Sequence, residues 1–86
     1  EEYVEARASL GCVLVENDEL ELALAAFQGA LAIHPDYADV HYHLASLLDR
    51  LGSTDEAEGH WQKFLELAPE SPWATMARSR LKVLTS

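Results

Sequence analysis

Apolar residues recur along this chain in steps of three and four, with polar residues between them. Leu10 and Leu14 form such a pair, as do Leu44 and Leu48; Ala23, Phe27 and Leu31 form a longer run, as do Ala57, Trp61 and Leu65. This is the period of an amphipathic helix, and no strand candidate is found. Five helices are predicted. The first runs from about Tyr3 to Val15 and is interrupted by Asn17 and Asp18, both of which tolerate the left-handed conformation that closes a helix. The second runs to about Ile33 and is stopped by Pro35, with Asp18-x-x-Glu21 as a possible capping box at its start. The third runs from about Asp36 to Leu51, with Asp36 as candidate N-cap and Gly52 just past its end. Ser53-x-x-Glu56 is a second capping box, opening a fourth helix that runs to about Leu67 before Pro69. Ser71-Pro72 offers an N-cap and a first-turn proline for a fifth helix, ending near Leu84. The connections are only a few residues long, so neighbouring helices form antiparallel hairpins.

The pattern also repeats. Pro35 and Pro69 stand 34 residues apart, and the chain before one matches the chain before the other. Leu10/Leu44, Leu14/Leu48, Ala23/Ala57 and Leu31/Leu65 are identical, and Phe27/Trp61 are both large aromatics. A fixed period of this length marks a solenoid, and solenoids mostly bind other chains. The sizes have a packing reason. Gly11/Ala45 and Ala23/Ala57 are small enough for two helix backbones to approach, while Phe27/Trp61 fill the space between one hairpin and the next.

These residues resemble the tetratricopeptide repeat, whose small and large positions follow W-x2-L-G-x2-Y…A-x3-F…A…P over 34 residues. Leu10, Gly11, Ala23, Phe27, Ala30 and Pro35 match in one copy, and Leu44, Ala45, Ala57, Trp61 and Pro69 in the next. Arg7 and His41 depart from the opening Trp, Leu14 and Leu48 from the Tyr, and Phe64 from the second Ala. The resemblance implies an all-α fold, an α-α superhelix of two such hairpins (repeats 4–37 and 38–71) with a capping helix at 72–84. Glu2-Tyr3-Val4-Glu5 echoes Asp36-Tyr37-Ala38-Asp39, as if an earlier repeat preceded this chain in a longer parent. At the other end Arg78 and Ser79 stand where a third Leu-Gly pair would be, which suits a cap with a polar outer face.

Charge and composition narrow the function. Leu and Ala dominate the apolar residues, which favours helix. The formal charge is −9, so this segment is not expected to hold nucleic acid or an anionic membrane by itself. No apolar run reaches the length of a membrane span. The single Cys12 makes no internal disulfide, which points to a reducing, cytoplasmic setting.

The resemblance implies a concave groove lined by the first helix of each pair, where a peptide or partner helix binds. Mapped position by position, its side chains are Glu5, Ala8, Cys12, Val15 and Glu16, then Asp39, Tyr42, Ser46, Asp49 and Arg50, with Trp73, Met76 and Arg80 from the cap. Cys12, Tyr42, Trp73 and Met76 give an apolar surface flanked by charge. Trp73 and Met76 have an alternative role, packing the cap onto the third and fourth helices. Family members that clamp a C-terminal carboxylate use Lys and Asn in the groove; Ala8, Cys12, Tyr42 and Ser46 stand here, which argues against that sub-type. The expected function is a protein-interaction scaffold. The alternative is a sensory or oligomerisation tail of a MerR-like transcription regulator, since the second copy is similar to the last repeat of some such proteins. Self-association through a bare flank of the first helix is a further expectation.

No chemistry is expected. His41 and His43 lie two apart on a helix and point about 200° apart, so they do not share a metal, and His34 and His60 lack i, i+4 partners. No nucleophile, base and orienter converge in the sequence, and the neighbours of Cys12 are apolar or acidic. No cofactor or metal is implied. The acidic residues Asp18, Glu19, Glu21 and Asp55, Glu56, Glu58 sit where they favour helix N-termini.

Overall fold

In a computed structural model the described residues, backbone 2–85 and side chains 3–83, form five α-helices and no strand. They are α1 (Glu2–Glu16), α2 (Leu20–Ile33), α3 (Ala38–Leu51), α4 (Thr54–Leu67) and α5 (Ala74–Thr85). The side chains of Glu2 and Leu84, which enter the expectations above, lie outside the described residues. Each helix packs on the next: α1 on α2, α2 on α3, α3 on α4 and α4 on α5. In addition α1 touches α3, so the first helices of the two hairpins stand side by side on one face.

Two turns carry the repeat more clearly than any side chain. Asp18 has φ 63° and Gly52 has φ 85°, and they stand 34 residues apart. At the first, the Asp18 N–H reaches Val15 O at 3.0 Å and the Glu19 N–H reaches Leu14 O at 2.8 Å. At the second, the Gly52 N–H reaches Asp49 O at 3.1 Å and the Ser53 N–H reaches Leu48 O at 2.9 Å. Both are Schellman closures, in which a left-handed residue lets two N–H groups satisfy the last carbonyls of the helix. Glycine adopts that conformation without a steric penalty, and aspartate at a tolerable one.

The expected side-chain caps differ from what forms. Glu19, Tyr37 and Ser53 occupy the N-cap positions of α2, α3 and α4, and none makes a side-chain cap hydrogen bond. Asp18 is used in the left-handed turn, so it is one residue too early to cap α2. Asp36 sits outside α3 and forms an ion pair with Lys63 at 3.7 Å. Ser71 Oγ accepts from the Trp73 N–H at 3.1 Å, and its carbonyl accepts from Ala74 N–H at 2.9 Å. Ser71, Pro72 and Trp73 thereby make a turn, and α5 starts at Ala74. Before α2 and α4 the backbone closure of the preceding helix takes the place of the side-chain cap.

The core follows the period. Phe27, Trp61, Phe64, Leu44, Leu47 and Val40 are its largest buried side chains, with Ala23, Ala30, Ala45 and Ala57 between them. Ala74 and Ala77 seat α5 against α4. Residues in register do not share a fate, however. Leu10 is 52% exposed and Leu44 only 1%; Val13 is 49% exposed and Leu47, its counterpart, 1%. Helix α3 packs between α2 and α4, whereas α1 packs on α2 and touches α3, with no helix before it among the described residues. Tyr3 and Tyr37 likewise part company: Tyr37 is the N-cap of α3, whereas Tyr3 lies inside α1 and is exposed.

Candidate functional site

The face shared by α1 and α3 holds two adjoining concavities. One, of about 280 Å³, is walled by Cys12, Val15 and Glu16 of α1, Phe27 of α2, and Tyr42, His43, Ser46, Leu47 and Arg50 of α3. The other, of about 380 Å³, is walled by Tyr42, Ser46, Asp49 and Arg50, with Trp61 beneath and Met76 and Arg80 of α5 on the far side. Tyr42, Ser46 and Arg50 belong to both, and Ser46 is exposed between them. Most of the residues assigned to a groove by register thus line one continuous surface. Glu5 does not: it lines a separate concavity with Val4, His34, Asp36, Tyr37 and Ala38. Ala8 packs on the core, and Asp39 lines neither of the two.

Tyr42 is the centre of an aromatic cluster. Its ring stacks on Trp73 with centroids 4.6 Å apart and meets the edges of Trp61 and His43 at 5.3 and 5.6 Å. Such pairs hold better than apolar area alone implies. Trp73 lines neither concavity; it lies against Tyr42 and His43 of α3, just before α5. Its place is therefore that of a peg holding the cap to α3, while Met76 faces the larger concavity.

Beneath this cluster lies a polar network that sequence reasoning did not assemble. Asp49 Oδ2 accepts from Trp61 Nε1 and from Arg80 Nε, both at 3.1 Å. The Asp49 side chain is 11% exposed, and its Oδ1 is buried without a hydrogen-bond partner. One carboxylate oxygen therefore ties three helices together: α3, α4 and α5. Charge-assisted bonds of this kind are the strong ones, and breaking one leaves a buried charge short of partners. Arg50 makes a looser contact, to Asp18 at 3.4 Å on the exposed rim.

The histidines prove more connected than their spacing suggests. His41 Nε2 is 2.7 Å from Pro35 O, so that nitrogen carries the proton. In the neutral ring His41 Nδ1 is then an acceptor, and it lies 2.9 Å from His60 Nδ1, which donates. The pair links α3 to α4 and fixes both tautomers. Among the described residues no group of three His, Cys, Asp or Glu side chains is arranged to hold a metal ion.

Burial lowers the pKa of both His43 and His60; His41 lowers His60 further, Glu56 acts in the opposite direction on His60, and Asp39 on His43. A histidine whose folded pKa lies below its unfolded value of about 6.5 binds its proton more readily when unfolded. Stability is then present above that unfolded value and is lost as the pH falls through it toward the folded pKa. Urea midpoints should accordingly fall as the pH is lowered from about 7.5 to about 5.5. His43→Gln with His60→Gln should flatten the profile; an unchanged slope in that variant would assign the effect elsewhere. Cys12 moves the other way: burial and then Glu16 raise its pKa, which keeps it a thiol at neutral pH.

The comparisons with known proteins follow the same register. The family model of the tetratricopeptide repeat matches residues 8–72. The chain belongs to the tetratricopeptide-repeat family. Its fold is similar to a crystal structure of MamA, with 28% identity and a TM-score of 0.84 over 94% of this chain and 46% of that one. It is also similar to a tetratricopeptide repeat domain protein from Salinibacter ruber, at 30% identity. The crystal structure of that domain gives a TM-score of 0.75, covering 94% of this chain and 90% of the other. The solution structure of the Salinibacter domain gives 0.71, with 94% and 78% covered. The chain thus spans less than half the length of the MamA chain it matches. No curated protein matches it. Repeats of this family generally mediate protein–protein interaction, and the fold is a scaffold rather than a catalytic one. No helix among the described residues is long and apolar enough to cross a membrane.

Proposed function

We propose that this chain is a scaffold segment whose concave face, from Cys12 across Tyr42, Ser46 and Arg50 to Arg80, binds a peptide or helix of another protein. The observation that carries this is the pair of concavities sharing Tyr42, Ser46 and Arg50, placed where the first helices of successive repeats meet. An apolar floor with charged edges suits a chain that buries a few anchors and keeps its polar rim wet. Ser46→Trp is the cleanest test. Ser46 is exposed and lines both concavities, so an indole there fills the groove without entering the core. Peptides selected from a displayed random library on the parent protein should lose binding to Ser46→Trp and keep it with Leu22→Lys, an exposed site on α2. Peptides that bind Ser46→Trp as well as the parent would remove the groove from the account.

A second surface belongs to the same reading. The flank of α1 bearing Leu10 and Val13 is the register equivalent of a face that is covered on α3. At high concentration the isolated chain should associate through it, and Leu10→Lys should suppress this. A monomeric mass by light scattering throughout would rule this contact out.

A further inference from the structure

The cationic side chains of this acidic chain are not spread evenly over the surface. There are 6 Lys and Arg against 15 Asp and Glu. Lys63 is paired with Asp36, and Arg78 donates to Pro69 O at 3.0 Å. Arg50 and Arg80 instead line one cavity, the larger of the two in the groove. The charged side chains on its wall are Asp49, Arg50 and Arg80, and with Asp18 paired to Arg50 at the rim the local charge is balanced, although the whole chain carries −9. With a Debye length of about 8 Å at physiological salt, more distant acids act weakly on a charge held inside the groove.

The two guanidiniums differ in how they are held. Arg80 is oriented: its Nε is fixed to Asp49 Oδ2, which is itself fixed by the buried Trp61 indole. One of its five N–H donors is used there, and the rest of the planar fork remains. Arg50, the residue after Asp49 on α3, is tied only at the rim to Asp18, in a pair with side chains 49% and 82% exposed. An exposed pair of this kind is readily exchanged for a better anion. Tyr42 and Met76 share that cavity's wall, and the adjoining concavity beyond Ser46 is walled by Cys12, Val15, Phe27 and Leu47, with Glu16 as its one carboxylate.

We propose that the cavity between α3 and α5 selects acid: Arg50 and Arg80 take the side-chain carboxylate of an Asp or Glu in a partner peptide, and the adjoining concavity takes an aliphatic or aromatic residue near it in sequence. This rests on the groove reading above and gives its partner a chemistry. A fork matched to a carboxylate is the interaction guanidinium makes best. The apolar neighbour supplies the buried area, and the ion pair sets register and direction. The net charge of the chain taken alone points to a basic partner; the placement of Arg50 and Arg80 points to an acidic one.

The probe is a displayed library of random dodecapeptides, panned on the parent chain, on Arg50→Gln/Arg80→Gln and on Ser46→Trp. Peptides from the parent should be rich in Asp or Glu within a few positions of Leu, Phe, Tyr or Trp. A fluorescent copy of the best one should weaken about tenfold or more on the double variant. Replacing its acidic residue by the amide should weaken it by a similar factor on the parent and no further on the double variant. Because Arg80 also partners Asp49, the single variant Arg50→Gln, outside that network, supplies the same readout if the double variant fails to fold. Binders that Ser46→Trp blocks but that are uncharged or rich in Lys and Arg would overturn the acidic subsite and leave the groove standing. A library with no binder that Ser46→Trp blocks would overturn both.

Discussion

Trp61→Ala should leave this chain largely unfolded at room temperature. Trp61 is 2% exposed and is among the largest buried side chains. Truncating a buried aromatic to alanine costs about 3–5 kcal/mol through lost transfer energy and the cavity left behind. The indole N–H is also one of the two donors to Asp49 Oδ2, whose partner oxygen is buried and unbonded. Losing a hydrogen bond to a charged group there adds about 1.5–3 kcal/mol. Against this, a domain of 86 residues has about 4–13 kcal/mol in total, at about 0.05–0.15 kcal/mol per residue. Trp61→Phe separates the two effects, because it keeps most of the ring and removes the donor. It should retain the fold with a lowered urea midpoint. Trp61→Ala within 1 kcal/mol of the parent would mean that the hairpin–hairpin junction does not depend on this side chain.

Two glycine-to-alanine changes should have opposite signs. Within a helix, alanine is ordinarily better than glycine by about 1 kcal/mol. Gly59 lies in α4 with nothing within 4 Å of where a Cβ would stand, so Gly59→Ala should stabilise by about that amount. A Cβ on Gly11 would stand 2.5 Å from Phe27 Cε1 and 2.7 Å from its Cζ, and that ring is fully buried. Gly11→Ala must therefore push an aromatic that has nowhere to go, at a cost of about 1–3 kcal/mol net of the helix gain. Phe27→Leu in the Gly11→Ala background should recover part of the loss, a coupling that thermal melts of the four variants would read directly. If Gly11→Ala stabilises like Gly59→Ala, the close approach of α1 to α2 is not what holds that ring.

The register marked Gly11 and Ala23 as the small positions and Phe27 as the large one, but that the Phe27 ring lies directly against Gly11 is visible only in the fold. The helix ends were legible too, but not their chemistry. Asp18, Asp36 and Ser53 look like caps because such side chains bond free N–H groups in isolated helices. In the fold, the left-handed residues Asp18 and Gly52 close the preceding helix with backbone bonds, and the same few residues cannot serve both helices. The groove positions were placed by register, and Cys12, Tyr42, Ser46, Asp49, Arg50 and Arg80 do share a surface. Trp73 lines neither concavity and stacks on Tyr42. Glu5 faces a different hollow, shared with His34, Asp36, Tyr37 and the first residue of α3, Ala38.

What the sequence determined by itself was local and periodic: five helices, their order, the two-hairpin register and the small and large positions that let helices approach. These follow from properties each segment carries alone, namely helical spacing, left-handed turn residues and proline stops. What only the tertiary structure decided was which of two identical residues is buried and which distant groups meet. Leu10 is exposed on α1, the first described helix, and Leu44 is buried on α3, which has helices packed on both sides. Asp49 meets Trp61 and Arg80, and His41 meets His60, because packing brings together side chains that lie 12, 31 and 19 residues apart. Spacing along one helix says nothing of such meetings. They depend on how helices lie against one another, which is set by the summed packing of the core rather than by any single stretch of chain.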